Sequence, residues 1–165
     1  MSTNYEKVLL EFNKSFGVKT IDTPTLDIFD KDPKLVDYRL SLIEEEFNEL
    51  KDAISKKDFV EVVDALTDIL YVTYGFYTAI GVDGDKAYKL VHESNMSKLC
   101  KTEEEAELTV QNYKQKYESG ESPYDSPYYY KSDNYYIVKN KSSGKSLKSI
   151  NYTAVKLNID ELTVV

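Results

Sequence analysis

The chain has 165 residues, a formal net charge of −8, a pI near 4.8 and 41% hydrophobic residues. That is enough apolar material for one cored domain with an appendage, and the acidic balance argues against coating a nucleic acid backbone. One cysteine, Cys100, rules out an internal disulfide and a cysteine-rich zinc site and fits a reducing, cytoplasmic setting.

Tyr5 to Phe16 places Val8, Leu9, Phe12 and Phe16 at helical spacing, which predicts a short amphipathic helix ended by Gly17. A loop follows to Asp30. Asp32-Pro33 is a helix start, with the acid as N-cap and the proline at the first helical position, and it opens a helix to about Ser55. Asp58 caps a third helix from about Phe59 to Ile80, stopped by Gly81. A fourth helix is expected over Asp85 to Lys101. Thr102 to Glu105 reads as a capping box opening a fifth, polar and peripheral helix that runs to about Ser119. Nothing at the N-terminus reads as a signal peptide, and no apolar run is long enough to span a bilayer.

Beyond Gly120 the composition shifts to Ser, Tyr, Lys, Pro and Gly. Tyr135-Tyr136-Ile137-Val138 and Ser146 to Ile150 have strand composition, and a loop from Asn140 to Lys145 would join them as a hairpin. The expected organisation is a mainly α chain: a four- to five-helix bundle over residues 1–119 and a Tyr/Lys-rich C-terminal appendage with a small β-hairpin over residues 120–165. The appendage tyrosines from Tyr128 to Tyr136 pack it against its body or a partner, or stack on a base.

On the helix from Pro33, the residues Val36, Leu40, Ile43, Phe47, Leu50 and Ile54 share one broad face, widened by Leu35, Leu42 and Ala53. Glu46 falls inside this apolar arc, Glu49 at its edge and Glu45 beside Glu49; Glu44 and Asp52 point elsewhere. The helix from Phe59 is apolar nearly all round from Val62 to Ile80, which marks a buried element. Yet Glu61, Asp64 and Asp68 share a stripe about 60° wide that continues through Val72, Gly75 and Ala79. Burying several carboxylates together requires protonation, basic partners or cations. Basic residues within this pattern are few, chiefly Arg39, the single arginine. Oxygen-only donors with no nearby histidine indicate a hard cation, Mg²⁺ with Mn²⁺ as a substitute, and such an ion pairs naturally with phosphates. The plainer reading, two amphipathic helices with solvated acids, holds for Glu44 and Asp52. A carboxylate-bridged di-iron bundle would need Glu-x-x-His pairs, and Lys89 stands three residues before the sole histidine, His92.

Glu45-Glu46-Phe47-Asn48-Glu49 resembles the EExxE motif of MazG-like all-α nucleoside triphosphate pyrophosphohydrolases, and Glu61 to Tyr71 resembles that family's ExxD helix. The likeness extends to His92-Glu93-Ser94-Asn95-Met96-Ser97-Lys98-Leu99. Together with Gly144-Lys145-Ser146-Leu147-Lys148-Ser149, it points near the phosphoribosyl-ATP pyrophosphohydrolase branch. In one respect the chain departs: Ala65 stands where the family usually has an acid, three residues before Asp68, so either Glu61 or Asp64 takes that place. The resemblance implies that Glu46, Glu49 and Asp68 bind magnesium, with Asp64 or Glu61 as the next ligand, and that Glu45 orients or activates water. The implied reaction releases pyrophosphate and leaves a (deoxy)nucleoside monophosphate. Asn95 and Lys98, on one predicted helix face, become substrate contacts, as do His92, Lys145 and Lys148; lysines on an edge strand also serve simply to discourage aggregation. The Ala65 departure keeps open a non-catalytic nucleotide- or metal-binding module. Four short helices give an apolar helix little cover, so a homo-oligomer, a dimer or dimer of dimers, is expected. The expected partners are a nucleotide substrate and further copies of the chain, with no nucleic acid and no membrane.

Overall fold

The computed structural model describes residues 4–164. Six helices are followed by one antiparallel hairpin and a short 3-10 turn: α1 Tyr5–Ser15, α2 Ile28–Lys31, α3 Pro33–Lys56, α4 Phe59–Ile80, α5 Gly84–Met96, α6 Glu103–Glu118, β1 Pro127–Ser132 and β2 Tyr135–Asn140. The chain is thus mainly α with a small C-terminal hairpin. Among the described residues no helix is long and apolar enough to cross a membrane. It forms two compact units, Met1–Tyr88 with Leu157–Val165, and Lys89–Lys156.

In the first unit, local signals fix the long helices. The Asp32 carboxylate accepts from Leu35 N at 3.1 Å and Pro33 opens α3. Lys57 then turns the chain in a left-handed conformation (φ 57°), and Asp58 accepts from Val60 N and Glu61 N to start α4. This two-residue connection makes α3 and α4 an αα-hairpin, the principal packing of the unit, and α1 lies on α4. Gly81 ends α4 at φ +75°, and a Cβ there would fall 2.1 Å from Thr23 O, so both conformation and space demand glycine. Leu9, Ile28, Ala53, Ala65, Tyr74, Ala79, Val82, Ala87 and Leu162 form the buried apolar set.

The expectation that α4 is buried all round does not hold within one chain. Phe59, Val63, Leu66 and Leu70, spaced to share one face, are 78%, 49%, 49% and 50% exposed. Among the described elements α3 covers the helix most and α1 to a lesser extent.

The second unit departs from expectation in three places. α5 stops at Met96 rather than Lys101, because Cys100 is drawn into a two-way backbone bridge with Tyr136 (3.0 and 2.8 Å). The hairpin pairs β1 with β2 around Asp133, whose φ of 50° suits a tight turn. Ser146 to Ile150 contributes only an isolated bridge, Ser146 to Lys139. The two segments lie on opposite edges of β2: Lys139 pairs with Ser146 on one side and with Tyr128 on the other, where the aromatic run Tyr128-Tyr129-Tyr130 makes the full ladder. Finally α6 is not peripheral. Ala106 and Thr109 are fully buried, and with Cys100, Val110, Val138 and Leu147 they hold the hairpin, flanked by Tyr113, Tyr124, Tyr129 and Tyr136. The anticipated cap is present: Thr102 Oγ1 accepts from Glu105 N at 3.2 Å, and Glu105 reaches back to Lys101 N at 2.8 Å.

One buried acid ties α1 to the α4–α5 turn. Glu6 is 7% exposed, its Oε1 is buried with no hydrogen-bond partner among the described residues, and it feels the nearby Asp83 and Asp85 carboxyls. Burial first, and these acids second, push it from 4.5 up to about 8. A raised carboxyl binds its proton more tightly folded than unfolded. Its contribution to stability is therefore complete below about pH 4.5 and is lost as pH rises towards 8. Glu6→Gln should raise the melting temperature at pH 8 by on the order of 5 °C and flatten its fall between pH 5 and 8, measured by circular dichroism.

Candidate active site on the α3–α4 hairpin

The α3–α4 hairpin carries six of the acids singled out above. Glu45 and Glu49 are exposed on α3, whereas Glu46 is half-buried, and on α4 Asp68 is half-buried while Asp64 and Glu61 are exposed. The helical phase explains the difference, since Glu46 lies within the arc that α3 packs against α4.

Glu46 is the focus. Its Oε2 is buried and has no hydrogen-bond partner among the described residues. Loss of solvent pushes its carboxyl above the ordinary range, and the charges of Glu49, Asp68, Glu45 and Asp64 add to this in that order. Four carboxylates from two helices thus act on a fifth. Glu61 is not among them. It lines a groove of about 320 Å³ with Glu49, Asp52, Ala53 and Lys56, and its charge acts on Lys56. Lys56 itself is committed to Asp52 at 2.6 Å in an exposed pair, so it does not neutralise Glu46. Ala65, at the position of the family departure, is 3% exposed and belongs to the core.

Among the described residues no three His, Cys, Asp or Glu side chains already stand close enough to cage an ion. Ion binding here therefore requires rotation of side chains about a fixed backbone. The donor set itself fits a hard divalent cation: oxygen ligands only, excess negative charge, and a buried carboxylate oxygen with nothing to pair with.

Two turns before Glu46 on the same face of α3 stands Arg39, whose Nε is also buried without a partner. Two turns after Asp68 on α4 stands Gly75, and a Cβ there would approach Arg39 Nη1 to 3.0 Å. The sequence offered two signals for Arg39, its being the single arginine and its i−7 spacing from Glu46, but neither assigned it a task.

The remaining predicted contacts lie in the second unit. Lys98 falls in the turn after α5, yet its Nζ donates to Asn95 Oδ1 at 2.7 Å, so the two are brought together as expected. His92 is exposed on α5. Lys145 and Lys148 are exposed and lie over the rings of Tyr124 (5.4 Å) and Tyr152 (4.3 Å). A cavity of about 550 Å³ in this unit is lined by residues that include Glu93, Ser97, Lys101, Glu105 and Tyr135, none of which the sequence had singled out as a ligand.

Residues 9–95, from α1 almost to the end of α5, match the model of the family described as phosphoribosyl-ATP pyrophosphohydrolase. An uncharacterized protein of Acanthamoeba polyphaga mimivirus is 43% identical over 84 residues, which make up 51% of this chain and 33% of that protein. The chain therefore spans about a third of the length of that relative. The matched segment holds every acid of the α3–α4 constellation, and on it the chain belongs to the phosphoribosyl-ATP pyrophosphohydrolase family of all-α pyrophosphohydrolases.

Proposed function

We propose that the protein hydrolyses a nucleoside triphosphate, in a Mg²⁺-dependent reaction, to the monophosphate and pyrophosphate. The observation that carries this reading is Glu46: a half-buried carboxylate with an unpartnered oxygen, pressed by four further acids, in a chain of pyrophosphohydrolase lineage. Such an arrangement is costly unless positive charge arrives from outside the chain.

Glu46, Glu49 and Asp68 would hold the ion, and Asp64 would supply the next oxygen in preference to Glu61. Asp64 acts on Glu46, whereas Glu61 turns to the Lys56 groove. Bound there, the cation would neutralise phosphate charge and make a water molecule more acidic. Glu45, exposed on α3 beside this set, would accept the proton of the attacking water. The water oxygen bonds to the α-phosphorus. The bond to the bridging oxygen between the α- and β-phosphates breaks, and pyrophosphate leaves with the electron pair. Incubation with Mg²⁺ and a panel of ribo- and deoxyribonucleoside triphosphates, with separate detection of pyrophosphate and orthophosphate, should yield pyrophosphate and a monophosphate. Glu49→Gln should lower kcat by roughly 100-fold or more with the circular dichroism spectrum unchanged. Release of orthophosphate, or full activity in that variant, would refute the assignment.

The open face of α4 supports assembly. Phe59, Val63, Leu66 and Leu70 form a continuous apolar stripe on the face of α4 opposite the carboxylate stripe, and among the described residues it stays about half exposed or more. We take its cover to be the same stripe of a second copy across a two-fold axis. Light scattering should give twice the chain mass, and Leu66→Asp should shift it to the monomer. A monomeric wild type would remove this part of the reading.

A further inference from the structure

The α3–α4 hairpin carries a second feature two turns from the acids. A cavity of about 250 Å³ lies among α1, α3 and α4, walled by Leu9, Phe12, Leu42, Tyr71 and Val72, with Arg39 and Gly75 at its base. Phe12 and Tyr71 meet edge to face at 5.7 Å, and the Tyr38 ring lies 5.8 Å from the Arg39 guanidinium carbon. The guanidinium is always charged. Yet among the described residues it forms no ion pair, and its Nε has no hydrogen-bond partner although buried. A buried donor left unmade is costly.

The walls decide what kind of ligand would satisfy it. A phosphate tail needs several donors and solvent, and this cavity offers one cation among largely hydrocarbon and aromatic surfaces, beside an Asn13 amide that is 3% exposed and donates to Thr78 Oγ1 at 3.2 Å. A flat heterocycle suits both parts: its faces pack on the aromatic walls, and its edge meets the guanidinium. Turned towards the cavity, Arg39 Nε, which is buried as it stands, and the neighbouring Nη form a two-donor edge whose complement is a pair of adjacent acceptors, as in the O6/N7 edge of guanine or hypoxanthine. Adenine presents a donor at the first of these positions, so one of the two bonds is lost. The location agrees. Arg39 is seven residues from Glu46 and Gly75 seven from Asp68, so the cavity lies about 10 Å along the hairpin from the acids, within one nucleotide's reach.

We propose that this cavity is a base pocket and that Arg39 reads the acceptor edge of a 6-oxopurine there, so that guanine- or hypoxanthine-bearing nucleoside triphosphates are the preferred substrates. The proposal rests on the phosphohydrolase reading for its phosphates but not for its base, and the two are separable. Calorimetric titration of the metal-free protein with guanosine, inosine, adenosine and cytidine tests the pocket alone, and the ranking of kcat/KM over the matching triphosphates tests it in turnover. Wild type should bind guanosine and inosine roughly 10-fold or more tightly than adenosine, with the same order in turnover. Arg39→Met should bring the guanine-to-adenine ratio close to one in both assays. Gly75→Ala keeps the charge but crowds Nη1 at 3.0 Å, and it should reduce the ratio as well; it decides the matter if Arg39→Met does not fold. A wild type without 6-oxopurine preference, or variants that retain the preference, would overturn the proposal. Hydrolysis whose ranking ignores Arg39 would sink the pocket and leave the phosphohydrolase reading. Guanosine binding that depends on Arg39 without turnover of any triphosphate would do the opposite.

Discussion

A carboxylate placed where water cannot satisfy it is the constraint around which the first unit is arranged. Glu46 sits in the apolar arc of α3, and Glu45, Glu49, Asp64 and Asp68 leave it no cheap way to ionise. An apolar side chain at that position would pack against α4 at lower cost. Around it the chain keeps bases away: Lys56 is tied to Asp52, and Arg39 lies two turns off in a cavity of its own. A fold tolerates such a cluster when something it binds supplies the missing charge.

The precision of that cluster derives from three local devices. Asp32-Pro33 sets where α3 begins, Lys57-Asp58 turns the chain in two residues, and Gly81 ends α4 where only a glycine fits against Thr23. Together they fix the register of the hairpin, so that Glu46 and Asp68 share a level and Arg39 and Gly75 share another. The groove between the two helices therefore has a charged stretch and an aromatic one. A nucleotide is divided in the same way, into phosphates and a base.

Much of this was legible in the residues. Helix starts and stops follow from Asp, Pro and Gly at α3 and α4, and the acid stripe follows from 3.6-residue periodicity. What escaped were features set by long-range pairing. Ser146 to Ile150 and Tyr128 to Tyr130 have similar strand character; the first keeps a single antiparallel bridge to β2, and only the left-handed turn at Asp133 marks the second as the partner with the full ladder. Local pattern carries α5 on to Lys101, because the Cys100 bridge to Tyr136 is invisible to it. α6 looked peripheral by composition, yet its few small residues, Ala106 and Thr109, are the ones on which the hairpin rests. The apolar character of α4 points to a need for cover, and among the described residues the chain supplies only part of it. Arg39 shows the limit of composition: being the single arginine marks it, but only its unpaired, buried Nε and the cavity around it indicate a task.

The most direct test of the central claim compares thermal melting of wild type and Glu46→Gln, each in chelator and in excess Mg²⁺. If Glu46 is held in its costly setting for a cation, the variant should be the more stable of the two in chelator. Added Mg²⁺ should raise wild type and leave the variant nearly unmoved, reversing the order. The same order in both conditions, with wild type indifferent to Mg²⁺, would contradict the account.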